Sequence, residues 1–138
     1  MDIDAIVEFI KINAEKKECR RIVEVGIGFS FEIAKRLMRY FNVTVVDVND
    51  NAVDKARSLG LDGRKDDIFN PNIEIYKNVG LIYAIRPPRD LQHPILNLAE
   101  KIGADVIIRP LLNESPVDGL QLKNYKGEVF YIKSNEKI

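Results

Sequence analysis

Apolar side chains recur along this chain at two spacings. Ile3, Ile6, Val7 and Ile10 fall at i, i+3, i+4 and i+7, the stripe of an amphipathic helix with one buried face, and predict a helix over about residues 2–17. RIVEVG (21–26) then reads as a short buried strand. Ala34, Leu37, Met38 and Phe41 give a second helical stripe, ended by Asn42, and VTVVDV (43–48) is a strand rich in β-branched residues. A third helix is predicted from about Ala52 to Leu59, capped by Asn49 and Asp50 and stopped by Gly60; LDGRK (61–65) is a weaker strand. After DDIFNPNIEIYKN (66–78), whose Asn-Pro favours a turn, GLIYAI (80–85) is the next strand. Leu91, Ile95, Leu98, Ala99 and Ile102 line one face of a helix from about Arg89 to Ile102, Gly103 ends it, and ADVIIR (104–109) is another strand.

Strands that alternate with helices, several of them apolar on both faces, imply a parallel sheet covered on two sides. The predicted class is therefore α/β, a doubly wound and mostly parallel sheet. The tail departs from the alternation: GLQLKNYKGEVFYIK (119–133) has period two on either side of Lys126-Gly127, which reads as an antiparallel hairpin added to the sheet edge. No repeat, low-complexity stretch or linker interrupts the chain, so a single domain over 1–138 is expected.

Composition narrows the function classes. Lysine and arginine (21) balance aspartate and glutamate (21), so no overall field draws the chain to nucleic acid. The cluster Lys16, Lys17, Arg20 and Arg21 is broken by Glu18 and reads as a solvated face. Cys19 is the only cysteine, which excludes an intramolecular disulfide and a cysteine-based zinc cluster and suits a reducing cytoplasm. The first residues lack the basic start and small-residue cleavage site of a signal peptide, and no apolar stretch is long enough to span a bilayer. Cytoplasmic location, no membrane partner and no metal are the expectations.

In this fold class ligands bind beyond the carboxyl ends of the strands, where strand order reverses. The first strand-to-helix turn reads Glu24-Val25-Gly26-Ile27-Gly28-Phe29-Ser30. Gly26 permits a tight turn and Gly28 a close approach of ligand to backbone. Asp47 follows roughly twenty residues beyond Gly26, at the end of the second strand, where a carboxylate can accept from both hydroxyls of a ribose. Turn and acid together suggest an adenosine-containing ligand. A nicotinamide dinucleotide fingerprint needs a glycine where Phe31 stands, so NAD ranks lower.

With Glu24 ahead of the glycines, the turn resembles the first motif of the class I S-adenosylmethionine-dependent methyltransferases, an acidic residue followed by Gly-x-Gly-x-Gly. Glu24, Gly26 and Gly28 match it, and Ser30 replaces the third glycine. The resemblance implies a Rossmann-like fold with S-adenosylmethionine as cofactor, Asp47 as the ribose acid, and Asp66 or Asp67 as the acid that reads the adenine amino group. It also implies a reversed strand near the end, matching the predicted hairpin. Within that superfamily, LIYAIRPPRDLQ with DDIFNPNIEIY resembles a small archaeal family of uncharacterised proteins with a truncated methyltransferase-like fold.

The fourth strand should lie beside the first, which places Arg86-Pro87-Pro88 next to the transferable methyl group. Amino methyltransferases carry Asn-Pro-Pro-aromatic or Asp-Pro-Pro-aromatic there; this chain has arginine before the prolines and no aromatic after them. A guanidinium is no general base, but it grips carboxylate or phosphate with two hydrogen bonds. Arg109-Pro110 ends the neighbouring strand, so Arg86 and Arg109 are the candidate catalytic pair, an anion clamp at the mouth for a substrate or for the carboxylate of the methionine moiety. The competing reading is structural, with the arginines as strand ends paired to Asp90 or Glu114. His93, the only histidine, reads as a helix-terminus residue, and Tyr83 as core.

Two classes of function follow. One is a minimal methyltransferase with an unknown, anionic substrate, its site completed by a second copy or a partner protein. The other is a non-catalytic module with the same fold, binding S-adenosylmethionine, another nucleoside or a protein.

Overall fold

The structure, a computed structural model, describes residues 1–135, so the end of the expected 1–138 domain lies outside the described residues. Its elements are α1 (Ile3–Lys16), β1 (Arg21–Val25), α2 (Glu32–Leu37), β2 (Asn42–Asp47), α3 (Asp50–Ser58), β3 (Asp62–Lys65), β4 (Val79–Ile85), α4 (Gln92–Ile102), β5 (Asp105–Arg109), β6 (Gln121–Tyr125) and β7 (Glu128–Lys133). One seven-stranded sheet runs β3-β2-β1-β4-β5-β7-β6. β1 to β5 pair in parallel, and β7 runs against both β5 and β6. This is the predicted α/β class with its antiparallel hairpin. The hairpin turn has Lys126 at φ +48° and Gly127 at φ +84°, the two left-handed residues that match the twist of the flanking strands.

Strand alternation divides the core. Ile22, Val43, Val45, Leu81 and Tyr83 face α1, α2 and α3, while Val23, Val25, Val46, Ile82 and Ala84 face α4. Phe9 of α1 stacks on Phe130 of β7 with centroids 4.1 Å apart, so α1 reaches across the sheet to hold the hairpin. β1 and β4 lie side by side, with Glu24 opposite Tyr83.

Two local expectations are corrected, the length of α2 and the full solvation of the basic cluster before β1. α2 ends at Leu37, so Met38 is exposed and Phe41 reaches the core from the loop instead of a helical stripe. Between β3 and β4 the chain makes only a 3-10 turn, Ile73–Tyr76, whose Ile75 and Tyr76 fill the place a longer helix would cover. The basic cluster before β1 is only half solvated. Lys17 turns inward to Asp105 at 2.9 Å, and Arg21 donates to the carbonyls of Lys77 and Ile75 at 2.5 and 2.6 Å, tying that 3-10 turn to the lower edge of the sheet. No helix among the described residues is long and apolar enough to cross a membrane.

Candidate functional site

β1 ends at Val25 and the chain turns at once. Gly26 and Gly28 have φ of +71° and +56°, values that cost other L-residues about 1–2 kcal/mol and glycine almost nothing. The N–H groups of Gly26 and Ile27 donate to the Val46 carbonyl at 2.9 and 3.1 Å. Asp47 makes the third tie: Oδ2 accepts from Gly28 N at 2.8 Å and Oδ1 from Asn49 N at 2.9 Å. The acid predicted to meet a ribose thus also shapes the turn beside it. Each of its oxygens keeps a lone pair for a further donor.

Beyond this turn, on the α4 side of the sheet, lies a cavity of about 370 Å³ lined by Gly26, Asp47, Asp66, Asp67 and Arg86, with Val25, Val46, Ile68, Phe69 and Pro87 among its walls. That volume falls within the range of small-molecule pockets, and few polar groups on mostly apolar walls is their usual make-up. The loop after β3 supplies two acids with different duties. Asp66 staples the loop: its Oδ2 accepts from the Tyr76 hydroxyl at 2.5 Å and its Oδ1 from Asn72 N at 3.0 Å. Burial, and then Asp66 itself, push the Tyr76 phenol far above its ordinary range. Asp67 accepts only from Phe69 N, at 3.0 Å, and is exposed, so of the two acids it is the one open to a ligand. Phe69, 60% exposed, stands in the same wall. Sequence reasoning missed it, although an aromatic in the polar loop DDIFNPN was the available signal.

Other predicted residues fall outside the lining. Gly28 is beside it, bonded to Asp47. Ser30 is exposed and away from the cavity, because the turn carries it toward α2. Phe31 is buried at the start of α2, filling the place where the dinucleotide fingerprint has glycine. Glu24 lies below the turn, 2% exposed, on the opposite side of the sheet from the cavity walls Val25 and Val46. Its Oε1 and the Tyr83 hydroxyl are both buried without a well-formed hydrogen bond. Burial raises the Glu24 pKa to about 8 against a weaker downward pull from the adjacent Tyr83.

The two arginines are not brought together. Arg86 lines the cavity and is exposed, and its main-chain N–H donates to the Arg109 carbonyl at 2.6 Å. Arg109 turns its guanidinium the other way, with Nε donating to Glu128 Oε1 at 2.8 Å and Nη1 to the Pro110 carbonyl at 2.6 Å. The expected clamp therefore reduces to Arg86. Its partner is committed to the hairpin, and the pairing acid is Glu128 where Asp90 or Glu114 was expected.

Residues 6–135 match the sequence family described as an uncharacterised protein family, UPF0146. The chain belongs to UPF0146. The UPF0146 protein of Methanocaldococcus jannaschii is 57% identical over 136 residues, covering 99% of each chain. That of Pyrococcus horikoshii is 41% identical over 127 residues, 91% of this chain and 97% of the relative. Among solved structures, an RNA methyltransferase from Salinibacter ruber in complex with S-adenosylhomocysteine superposes with a TM-score of 0.67 at 15% identity, covering 96% of this chain and 92% of that one. An S-adenosylmethionine-dependent methyltransferase from Clostridium acetobutylicum superposes at 0.62 and 23% identity, covering 100% of this chain and 63% of that one. At these identities the likeness is one of fold: this UPF0146 chain has the class I methyltransferase-like, Rossmann-type architecture.

Proposed function

We propose that the protein is a minimal methyltransferase that holds S-adenosylmethionine in the cavity at the carboxyl ends of β1 to β4. The observation that carries this reading is the assembly, in one cavity of about 370 Å³, of the Gly26 turn, Asp47 and Asp67 with Phe69. Those residues fit the ligand. Asp47 has lone pairs for the ribose hydroxyls, Asp67 has an oxygen for the adenine amino group, Phe69 offers a ring face to the base, and the glycine turn admits the amino-acid end. Neighbours of the same fold crystallised with S-adenosylhomocysteine and S-adenosylmethionine support the assignment.

S-adenosylmethionine supplies an activated methyl on a sulfonium. The chain's own task is to position the donor and exclude water. For methyl transfer to a good nucleophile it needs no dedicated general base. Val48 and Phe69, 59% and 60% exposed, rim the mouth, and a second copy or a partner protein would complete its cover. A second reading, a non-catalytic adenosyl-binding module, is favoured by Arg86 standing where amino methyltransferases hold an amide or carboxylate.

Calorimetric titration of the purified protein with S-adenosylmethionine, S-adenosylhomocysteine and NAD tests binding. Both sulfur ligands should bind in preference to NAD. Phe69→Ala should weaken them by about 1–3 kcal/mol, the worth of a base stacked on an aromatic ring, with the thermal midpoint unchanged because the ring is exposed. No binding to a folded sample ends the methyl-donor reading. Incubation with methyl-labelled S-adenosylmethionine and fractionated, heat-inactivated archaeal extract then separates enzyme from module: label on an acceptor that appears only when the protein is added marks the enzyme.

A further inference from the structure

At the end of the sheet that carries the cavity, Arg89 donates to the Ser115 carbonyl at 3.1 Å and Arg109 to Glu128 at 2.8 Å. The hydrogen bonds that the three cavity acids accept come from amide or hydroxyl donors: Asp47 from Gly28 and Asn49, Asp66 from Asn72 and Tyr76, Asp67 from Phe69. Among the described residues nothing pairs with the Arg86 guanidinium, so it is the one cation of the cavity with all five donors unspent.

Its backbone is the second observation. Arg86 has φ +49°, a left-handed conformation that suits glycine, and it precedes Pro87, which pushes the residue before it toward extended geometry. The conformation is enforced from outside. The Arg86 N–H is held by the Arg109 carbonyl at 2.6 Å, and Pro87 is buried behind it. A long charged side chain thus occupies a position whose backbone asks for glycine, and where it is not simply a hairpin turn, as at Lys126, strain of this kind clusters at binding sites.

We infer that Arg86 sets the charge of what the cavity accepts, its guanidinium gripping a carboxylate or phosphate group of the ligand by a two-pronged hydrogen bond. The inference rests on the adenosyl reading for its geometry and names the chemistry at the opposite end of the same cavity. Two sources could supply the anion: the amino-acid carboxylate of the methyl donor, or an anionic acceptor beside it. Both meet the same fork of N–H donors.

The test compares wild type with Arg86→Lys and Arg86→Gly. Glycine accepts φ +49° without strain, so Arg86→Gly should fold and melt at or above Arg86→Ala. Each protein is titrated with S-adenosylhomocysteine, with 5′-deoxy-5′-methylthioadenosine, which lacks the amino acid, and with inorganic phosphate while the Arg86 Nε–H signal is followed by NMR. If the donor's carboxylate is the anion, Arg86→Gly weakens S-adenosylhomocysteine by about tenfold or more, Arg86→Lys by less, and methylthioadenosine not at all. If an acceptor supplies it, both nucleosides bind all variants alike. Phosphate added to the S-adenosylhomocysteine-saturated wild type then shifts the Arg86 signal along a binding curve, and the cavity's backbone amides, which report in both proteins, follow that curve in the wild type and stay unmoved in Arg86→Gly. Equal nucleoside binding throughout with an unmoved Arg86 signal overturns the inference. If the wild type binds neither nucleoside, the methyl-donor reading falls by itself. The anion site is then decided by phosphate on the unliganded protein, standing if the Arg86 signal shifts and falling if it does not.

Discussion

Glu24 shows how much one side chain can weigh in a dry core. It stands on β1, flanked by β2 and β4 and opposite Tyr83, buried and without a well-formed hydrogen bond at Oε1. Taking a carboxylate out of water favours its neutral form, hence the rise from 4.5 to about 8. The sign for stability follows. Below about pH 4.5 the group is protonated in folded and unfolded chains and contributes no pH dependence. Between about 4.5 and 8 the unfolded chain ionises while the folded one keeps its proton, so stability falls as pH rises, by up to about 1.4 kcal/mol per unit. Urea unfolding at pH 5 and pH 8 should show this loss in the wild type, and Glu24→Gln should remove most of the difference between the two. The same loss in the variant would assign the slope to other groups.

Among the elements, the C-terminal hairpin is tied to β5 by a mostly buried ion pair as well as by strand pairing. Arg109 and Glu128, with side chains 20% and 10% exposed, join β5 to the start of β7, and Glu128 Oε2 also accepts from Asp2 N at 3.2 Å, so the beginning of α1 is held by the same acid. Removing one partner leaves a mostly buried charge alone. Arg109→Ala should therefore cost about 3–5 kcal/mol in equilibrium unfolding, and Arg109→Met with Glu128→Leu should recover most of it. S-adenosylhomocysteine affinity should stay the same in the folded double variant, since Arg109 does not line the cavity. A loss of affinity there would restore Arg109 to the site. The short elements are equally informative. α2 is six residues long and the β3-to-β4 connection has a single 3-10 turn, so buried residues of short elements, Ile33, Ala34 and Leu37 in one and Ile75 and Tyr76 in the other, do the covering.

For the whole molecule, a cavity formed by the ends of four strands and their loops couples ligand binding to global stability. A ligand that binds only the folded chain stabilises it by RT ln(1 + [L]/Kd), about 2.7 kcal/mol at a hundredfold excess over Kd. For a chain of 138 residues this corresponds to a thermal midpoint raised by roughly 10 °C. S-adenosylhomocysteine should produce that rise with a logarithmic dependence on concentration, and NAD at equal concentration should produce less. A midpoint indifferent to S-adenosylhomocysteine up to millimolar levels would count against the cavity as its site.

Local chemistry was legible wherever neighbours in sequence decide it. Hydrophobic spacing located α1, α3, α4 and all seven strands to within a few residues, Lys126-Gly127 announced the hairpin, and Gly26 and Gly28 announced the tight turn after β1, because turn sterics and strand alternation act over a few residues. What each charged group meets was decided by the tertiary structure. Arg109 ends β5 and Arg86 directly follows β4, but β7 places Glu128 beside Arg109, a contact across nineteen residues. Asp66 and Asp67 are adjacent and chemically identical, and only the fold puts Tyr76 against one and leaves the other open. Side-chain charge is written in the chain; its partner, and hence whether it is spent on structure or free for a ligand, is a property of long-range packing.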